Sequence, residues 1–135
     1  MWYVIHTMSG LEQKCKQQCQ QYIDQTAYRE MFIPMYKTKK HFKQEWHEVE
    51  KTLFPGYLFV DTDDIDAVII GLKKIRQYTK VLKDGDTVSP IRKDEQDFLA
   101  LMMDADHIVQ YSEGFLIGDE VYITSGPLKK VQGWI

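Results

Sequence analysis

The segment Phe54-Pro55-Gly56-Tyr57-Leu58-Phe59-Val60-Asp61 constrains the fold more than any other part of the sequence. Tyr57 and Phe59 alternate with Leu58 and Val60 directly after a Pro-Gly turn. Because successive side chains of a β-strand point to opposite faces of a sheet, this strand carries an apolar row on each face. The sequence therefore predicts a strand with one face packed on the chain's own core and the other face in need of a partner.

A strand and a helix precede this segment. Residues 2–6 are rich in strand-forming residues, and Ser9 with Glu12 three positions later has the pattern of a capping box, which predicts a helix to about residue 24. Its apolar stripe is expected to comprise Leu11, Cys15, Cys19 (or Gln18), Tyr22 and Ile23. The two cysteines are poorly placed for a disulfide, and no histidine lies at a metal-binding spacing from them, so we interpret them as packing residues.

Further elements follow at regular intervals. Residues 29–43 alternate like a strand, with Pro34 marking an edge or bulge and a hairpin tip between Lys40 and Trp46. Asp63 and Asp64 are expected to cap a helix that ends near Lys73 and Lys74. Residues 78–82 indicate a short strand before a turn at residues 83–86, and residues 94–103 indicate a third helix. The residues expected to face inward on that helix are Phe98, Leu101 and Met102.

The order β-α-β-β-α-β-α predicts the α+β class, with a four-stranded, mostly antiparallel sheet flanked by helices, of the split βαβ type. This domain is expected to cover residues 1–105. Residues 106–117 have the acidic, weakly periodic composition of a linker, and residues 118–135 look like the first hairpin of an incomplete β-barrel.

Charge is distributed unevenly along the chain, and this limits the nucleic-acid contacts that can be expected. The net charge is −3, but residues 1–83 hold 13 Lys and Arg against 10 Asp and Glu, whereas residues 84–120 hold 2 against 10. Because salt screens surface fields beyond about 10 Å, a basic face can still act locally. No apolar run is long enough to span a bilayer and no signal peptide is evident, so we expect a cytoplasmic protein.

Six short motifs are spread along nearly the whole chain: Trp2-Tyr3-Val4, Ser9-Gly10, Phe32-Ile33-Pro34, Phe54-Pro55-Gly56-Tyr57-Leu58-Phe59-Val60, Gly118-Asp119-Glu120-Val121 and Ser125-Gly126-Pro127-Leu128. In their sequence and order they resemble the motifs of the NusG family of transcription factors. The resemblance identifies the first part with the family's N-terminal (NGN) domain and the tail with the opening of its KOW domain. Specialised LoaP-like paralogues, which act on selected operons, are especially similar.

This resemblance implies a bacterial elongation and antitermination factor that acts as a monomer on RNA polymerase. Its N-terminal domain would dock an apolar depression on the clamp helices of the largest polymerase subunit. The family positions that line this depression correspond to His6, Tyr57, Phe59 and Val81. His6 and Val81 stand where larger aromatic residues occur in the family, so a shallower pocket is expected. Core packing is the alternative interpretation of these residues, since most large apolar side chains are buried.

Two basic segments are candidates for nucleic-acid binding. In an extended strand Lys37, Lys39, His41 and Lys43 would form a row with a spacing of about 7 Å, close to the separation of phosphates along a strand. Lys40 lies in the same segment, and Phe42 and Trp46 could stack on bases. The second segment holds Lys73, Lys74 and Arg76. The resemblance implies a nascent RNA hairpin as partner. The alternatives are an autonomous RNA-binding module and a merely solvated hairpin tip.

Enzymatic functions are not supported by the sequence. Asp61, Asp63, Asp64 and Asp66 lack the glycine and the distal glutamate of a calcium loop, and helix capping explains them better. No phosphate-binding glycine loop, nucleophile elbow or catalytic Cys/His pair is found. We therefore expect a protein without catalysis, cofactor or metal.

Overall fold

The computed structural model describes residues 1–109, 120–122 and 132–134. The helices are α1 (Glu12–Tyr22), α2 (Ile65–Leu72) and α3 (Lys93–Met102), with a 3-10 turn at Gln25–Ala27. The strands are β1 (Trp2–His6), β2 (Glu30–Phe32), β3 (Met35–Phe42), β4 (Glu45–Thr52), β5 (Tyr57–Asp61), β6 (Lys80–Val81), β7 (Lys83–Asp84), β8 (Thr87–Val88), β9 (Ile108–Val109), β10 (Glu120–Tyr122) and β11 (Gln132–Trp134). No helix in these ranges is long and apolar enough to cross a membrane.

A four-stranded sheet in the order β2-β5-β1-β6 forms the centre of the fold, and each neighbouring pair is antiparallel. The strand that contains Tyr57 and Phe59 is an inner strand, with Phe59 opposite Val4 on one side and Phe32 on the other. The predicted α+β class and antiparallel sheet are confirmed.

The two faces of the sheet are covered by different helices. One face carries Ile5, Leu58 and Val60, which pack against Cys15 and Cys19 of α1 and against apolar residues of α2. Both cysteines are free and fully buried, which confirms their role in packing. The other face carries Trp2, Val4, Phe32 and Phe59. It packs against Leu99 of α3 and against Leu53 and Phe54, which precede β5. The chain's own residues thus cover much of both faces.

Helix α1 begins differently from the predicted capping box. Its N-cap is Leu11, and no side chain caps it. The carboxylate of Glu12 instead accepts a hydrogen bond of 3.0 Å from the backbone N–H of Gly56 and is buried. A buried N–H needs a hydrogen-bond acceptor, so the Glu12 side chain points toward Gly56 of the Pro-Gly turn and not toward its own helix N-terminus. Leu11 and Tyr22, both expected in the apolar stripe, are exposed.

Helix α2 has the predicted cap, whereas α3 presents a different side from the one predicted. The Asp64 carboxylate accepts a hydrogen bond of 3.2 Å from the N–H of Ala67. On α3 the buried residue is Leu99, with Met102 partly buried, while Phe98 and Leu101 are exposed. Four apolar residues at positions 98, 99, 101 and 102 leave the periodicity ambiguous. A backbone hydrogen bond between β1 and the segment before α3, from Ile91 to Trp2, helps fix the orientation.

A long hairpin of β3 and β4 projects from the sheet. Eight residues of each strand pair, from Met35 opposite Thr52 to Phe42 opposite Glu45. Lys43 and Gln44 form the turn with positive φ values of 51° and 64°, the geometry of a tight hairpin, and the predicted tip position is confirmed. The sequence did not predict β4, because its exposed residues lack an alternation of apolar and polar side chains.

Part of the predicted linker contributes to a sheet. Strand β9 pairs in parallel with the start of β3, placing Ile108 opposite Met35. Residues 110–117 of the linker lie outside the described residues. Strands β10 and β11 pair antiparallel, as expected for a C-terminal hairpin. The domain boundaries at residues 105 and 118 stay predictions.

Candidate functional site

Three partly exposed aromatic rings meet at one end of the sheet. The His6 and Tyr57 rings are stacked, with their centroids 4.9 Å apart and an angle of 26° between planes. Tyr78 meets His6 edge to face at 5.8 Å and is 53% exposed. His6 and Tyr57 are half-buried. We call these three residues the aromatic surface. Such rings offer a large apolar area together with polar edges, which is typical of binding hot spots.

Backbone contacts hold the aromatic surface in place. His6 and Tyr57 are direct partners in the β1–β5 register. The N–H of Thr7 donates to the Gly56 carbonyl at 2.7 Å, and the Thr7 hydroxyl donates to the Tyr78 carbonyl at 2.8 Å. Gly56 has a φ of +88°, and a Cβ there would lie 3.2 Å from the Thr7 oxygen. The turn before Tyr57 is therefore restricted to glycine, and all three rings are attached to one rigid junction.

The structure brings together only two of the four residues expected to line the depression. His6 and Tyr57 are neighbours, but Phe59 is fully buried, with Trp2, Phe32 and Phe54 rings around it. Val81 is buried on the opposite face of the sheet. Phe59 and Val81 are thus buried side chains and not part of the exposed surface, and their contact with polymerase stays a prediction. Val81 lies on the opposite face because it follows Lys80, the partner of His6, and adjacent strand residues point to opposite faces. Phe59 is buried because aromatic residues from β1, β2 and the turn before β5 pack around its ring.

Tyr78 is the residue that sequence reasoning missed. The sequence predicts a strand over residues 78–82, whereas the strand contains only Lys80 and Val81. A signal was present, because Lys80 lies opposite His6 and side chains two residues apart on an extended segment share a face. Tyr78 could therefore have been expected on the side of His6.

The aromatic surface is suited to binding rather than to acid-base chemistry. Burial raises the pKa of Tyr57 above its usual value, so its hydroxyl stays neutral at physiological pH. Among the described residues there is no group of three or more His, Cys, Asp or Glu that could hold a metal ion.

The predicted lysine row is only partly present on the hairpin. Lys37 and Lys39 lie on one face, opposite Glu50 and Glu48 respectively, and the Lys37 ammonium is 3.4 Å from the Glu48 carboxylate. Lys43 is in the turn, and its ammonium lies 5.4 Å from the centroid of the Phe42 ring. The two glutamates balance the charge of the two strand lysines. Lys40 lies on the other face, because adjacent residues of a strand alternate.

The second basic segment follows α2. Lys73, Lys74 and Arg76 are all exposed there. Hydrogen bonds from Thr26 and a weaker attraction from Lys74 lower the pKa of Asp24, so one acidic side chain lies near this segment. It remains a surface of positive charge, and within residues 1–109 none of its three basic side chains makes a cation–π contact like that of Lys43 with Phe42.

Comparison with known proteins agrees with the sequence motifs. The family model described as NusG, transcription termination factor nusG, matches residues 1–100. The chain belongs to the NusG family. The transcription termination/antitermination protein NusG of Halalkalibacterium halodurans is 23% identical over 141 residues, covering 99% of this chain and 79% of that protein. The protein of the same description from Rickettsia bellii is 25% identical over 138 residues, covering 99% and 72%.

A solved structure described as "Domain interaction in Thermotoga maritima NusG" is also similar, with a TM-score of 0.49 and 24% identity, covering 99% of this chain and 77% of that one. The membership therefore rests on the family model. The NusG proteins that the chain resembles are described as transcription termination and antitermination proteins.

Proposed function

We propose that this protein binds elongating bacterial RNA polymerase as a monomer and promotes processive, termination-resistant transcription. The aromatic surface would dock on the clamp helices of the largest polymerase subunit. The observation that carries the proposal is the cluster of His6, Tyr57 and Tyr78, which keeps partly exposed rings at the end of an otherwise covered sheet. Two of these residues are at strand positions where the family resemblance implies polymerase contact.

Energetic considerations favour the same surface. A ring held by a rigid backbone loses little entropy on binding, and burial of tyrosine at the centre of an interface is a common source of hot-spot energy. Phe59 acts beneath this surface, because its enclosed ring supports the strand that carries Tyr57.

A pull-down of a clamp-helix fragment tests the proposal. Tyr57→Ala and Tyr78→Ala should each weaken binding by about 2 kcal/mol, roughly 30-fold, if the residues are hot spots. Tyr22→Ala is the matched control, because Tyr22 is 48% exposed and lies on α1, which packs on the opposite face of the sheet. Unchanged binding by a folded Tyr57→Ala/Tyr78→Ala double variant would refute the assigned surface. Run-off transcription with pause sites then reports processivity.

We also propose that selection of particular operons operates through a nascent RNA element bound by the basic residues of this domain. The observation that favours it is the projecting hairpin, which carries exposed lysines together with exposed Phe42 and Trp46 rings. The segment of Lys73, Lys74 and Arg76 is the second candidate contact. An autonomous RNA-binding module would bind the RNA without polymerase, so mobility shifts with and without polymerase distinguish the two functions.

A further inference from the structure

The two faces of the β3–β4 hairpin differ in charge balance. One face, the paired face, comprises Lys37, Lys39, His41, Trp46, Glu48 and Glu50. The other, the open face, comprises Tyr36, Thr38, Lys40, Phe42, Glu45, His47, Val49 and Lys51. The two lysines of the paired face are opposed by two glutamates, whereas the open face has two lysines and one glutamate. The excess of positive charge therefore lies on the open face, whereas the sequence predicts a lysine row on the paired face.

The basic side chains of the open face are available to a ligand. Within residues 1–109, Lys40, Lys43 and Lys51 make no ion pair with a carboxylate. On the paired face Lys37 lies 3.4 Å from Glu48, and Lys39 makes no ion pair of its own but lies opposite Glu48 in the strand register. The Lys43 ammonium lies 5.4 Å from the Phe42 ring, so the turn adds a third positive charge at this ring. Glu45 on this face lies 3.8 Å from His47. The glutamate of this face is thus directed to histidine and not to the lysines.

A shallow concavity of about 220 Å³ lies on the open face, lined by Lys40, Phe42, His47 and Val49. The Phe42 and His47 rings meet in it edge to face, with centroids 6.0 Å apart and an angle of 64° between planes. This volume is smaller than that of pockets for drug-sized ligands, which start at about 300 Å³. It suits one planar ring system, and an aromatic side chain provides the surface on which such a ring stacks.

We infer that the open face binds a single unpaired nucleotide of a nucleic-acid strand. The base lies in the concavity against Phe42 and His47, and Lys40, Lys51 and Lys43 contact the flanking phosphates. A base inside a duplex has both its faces stacked on neighbours, so only an unpaired base can enter. The inference rests on the proposed recognition of nucleic acid and is independent of polymerase docking. The shared chemistry belongs to a nascent RNA and to a displaced DNA strand alike.

Two double variants with the same change of charge test the assignment to a face. Binding of a short unstructured RNA to the full chain is measured by fluorescence anisotropy over a series of salt concentrations. Lys40→Ser/Lys51→Ser should reduce the slope of log K against log salt by about 1.4, since each phosphate contact on a single strand contributes about 0.7. Lys37→Ser/Lys39→Ser should leave the slope nearly unchanged. An equal reduction by both variants, or a larger one for the paired face, overturns the inference.

The stacking contact has its own matched pair. Phe42→Ala should weaken binding roughly tenfold or more, the usual effect of deleting a base-stacking ring, while Trp46→Ala on the paired face should not. Both rings are exposed, 55% and 69% respectively, so neither substitution removes a core residue. Phe42→Leu keeps an apolar side chain without the ring and should behave like Phe42→Ala. Retained affinity in Phe42→Leu would show that the contact is not aromatic stacking and overturn that part of the inference.

Competing ligands identify the class and source. Binding of a single-stranded DNA of the same sequence is measured beside the RNA. Weaker binding of either strand by the open-face variants supports the inference, and the strand that shows it identifies the ligand as RNA or DNA. A fully paired duplex that binds with the same dependence overturns it, as does an acidic peptide that binds as tightly as the strands. Clamp-helix binding is recorded for each variant. Because Phe42 and Lys40 lie outside the aromatic surface, loss of polymerase binding in Tyr57→Ala and loss of strand binding in Phe42→Ala are separable failures.

Discussion

Replacement of Gly71 by alanine should destabilise the protein, although alanine is the better helix former. A Cβ at Gly71 would lie 2.6 Å from Cγ1 of Ile23 and 3.1 Å from both its Cβ and Cγ2. Ile23 is buried and β-branched, so its atoms near the backbone cannot move without shifting the end of α1. Crowding of a packed core costs about 1–3 kcal/mol, whereas the gain in helix propensity is at most about 1 kcal/mol. The expected net loss in the free energy of unfolding is therefore about 0–2 kcal/mol.

Urea unfolding followed by circular dichroism measures this loss, and a double-mutant cycle isolates its cause. Ile23→Ala removes both γ carbons and should itself cost about 2–5 kcal/mol. In that background Gly71→Ala meets only the Cβ of residue 23, so we expect it to be neutral or stabilising, with a coupling of about 1 kcal/mol or more. An increase in stability for Gly71→Ala in the native background would refute the close packing of α1 and α2.

Two further predictions concern the core and the amino terminus. Phe59→Ala should lower the free energy of unfolding by about 3–5 kcal/mol, because the ring is fully buried among other rings, while Tyr57→Ala should cost much less; equal losses in urea unfolding would contradict the difference in burial. Burial raises the pKa of Asp61, but contacts with Arg29 and the terminal amine outweigh it and hold this pKa below its usual value of 3.8. Arg29 pairs with Asp61 and with Asp63, whose pKa it also lowers, so these pairs stabilise the fold above about pH 4 and lose their effect as the pH falls through the lowered pKa values. Arg29→Met should therefore cost up to about 1 kcal/mol at pH 7 and progressively less as the pH falls below 4. A cost that stays constant from pH 7 to pH 2 would assign the effect of Arg29 to packing.

The central sheet could be predicted because its strands have strong local signals. Residues 2–6 and 57–61 consist of strand-forming residues on both faces, and the fold uses both faces. The hairpin strand β4 could not be predicted, since Glu45–Thr52 has polar residues on both sides and acquires its conformation from pairing with β3. The orientation of α3 depends on hydrogen bonds to β1 that leave no periodic signal in the helix.

The candidate site was only half predictable for a related reason. Alternation along a strand tells which residues share a face, and it correctly grouped Tyr57 with Phe59. It does not tell how far a ring is covered, which depends on Trp2, Phe32 and Phe54 from other parts of the chain. The hairpin shows the same limit. The net charge around Lys37 and Lys39 depends on the glutamates of β4 that lie opposite them, and β4 could not be predicted from the sequence.

The β3–β4 hairpin is close in the chain to the aromatic surface, because β4 ends at Thr52 and Tyr57 begins the next strand. The length of the hairpin therefore limits how far from the aromatic surface its tip can make contacts. Strand β3 has eight residues, which span about 26 Å at about 3.3 Å per residue. If the aromatic surface is bound to polymerase, the hairpin can contact only a nucleic-acid strand that passes within about 26 Å of that surface. Confinement of this kind raises the effective concentration of the strand at the open face, so a nucleotide contact of modest affinity in dilute solution would be almost fully occupied on the transcribing enzyme.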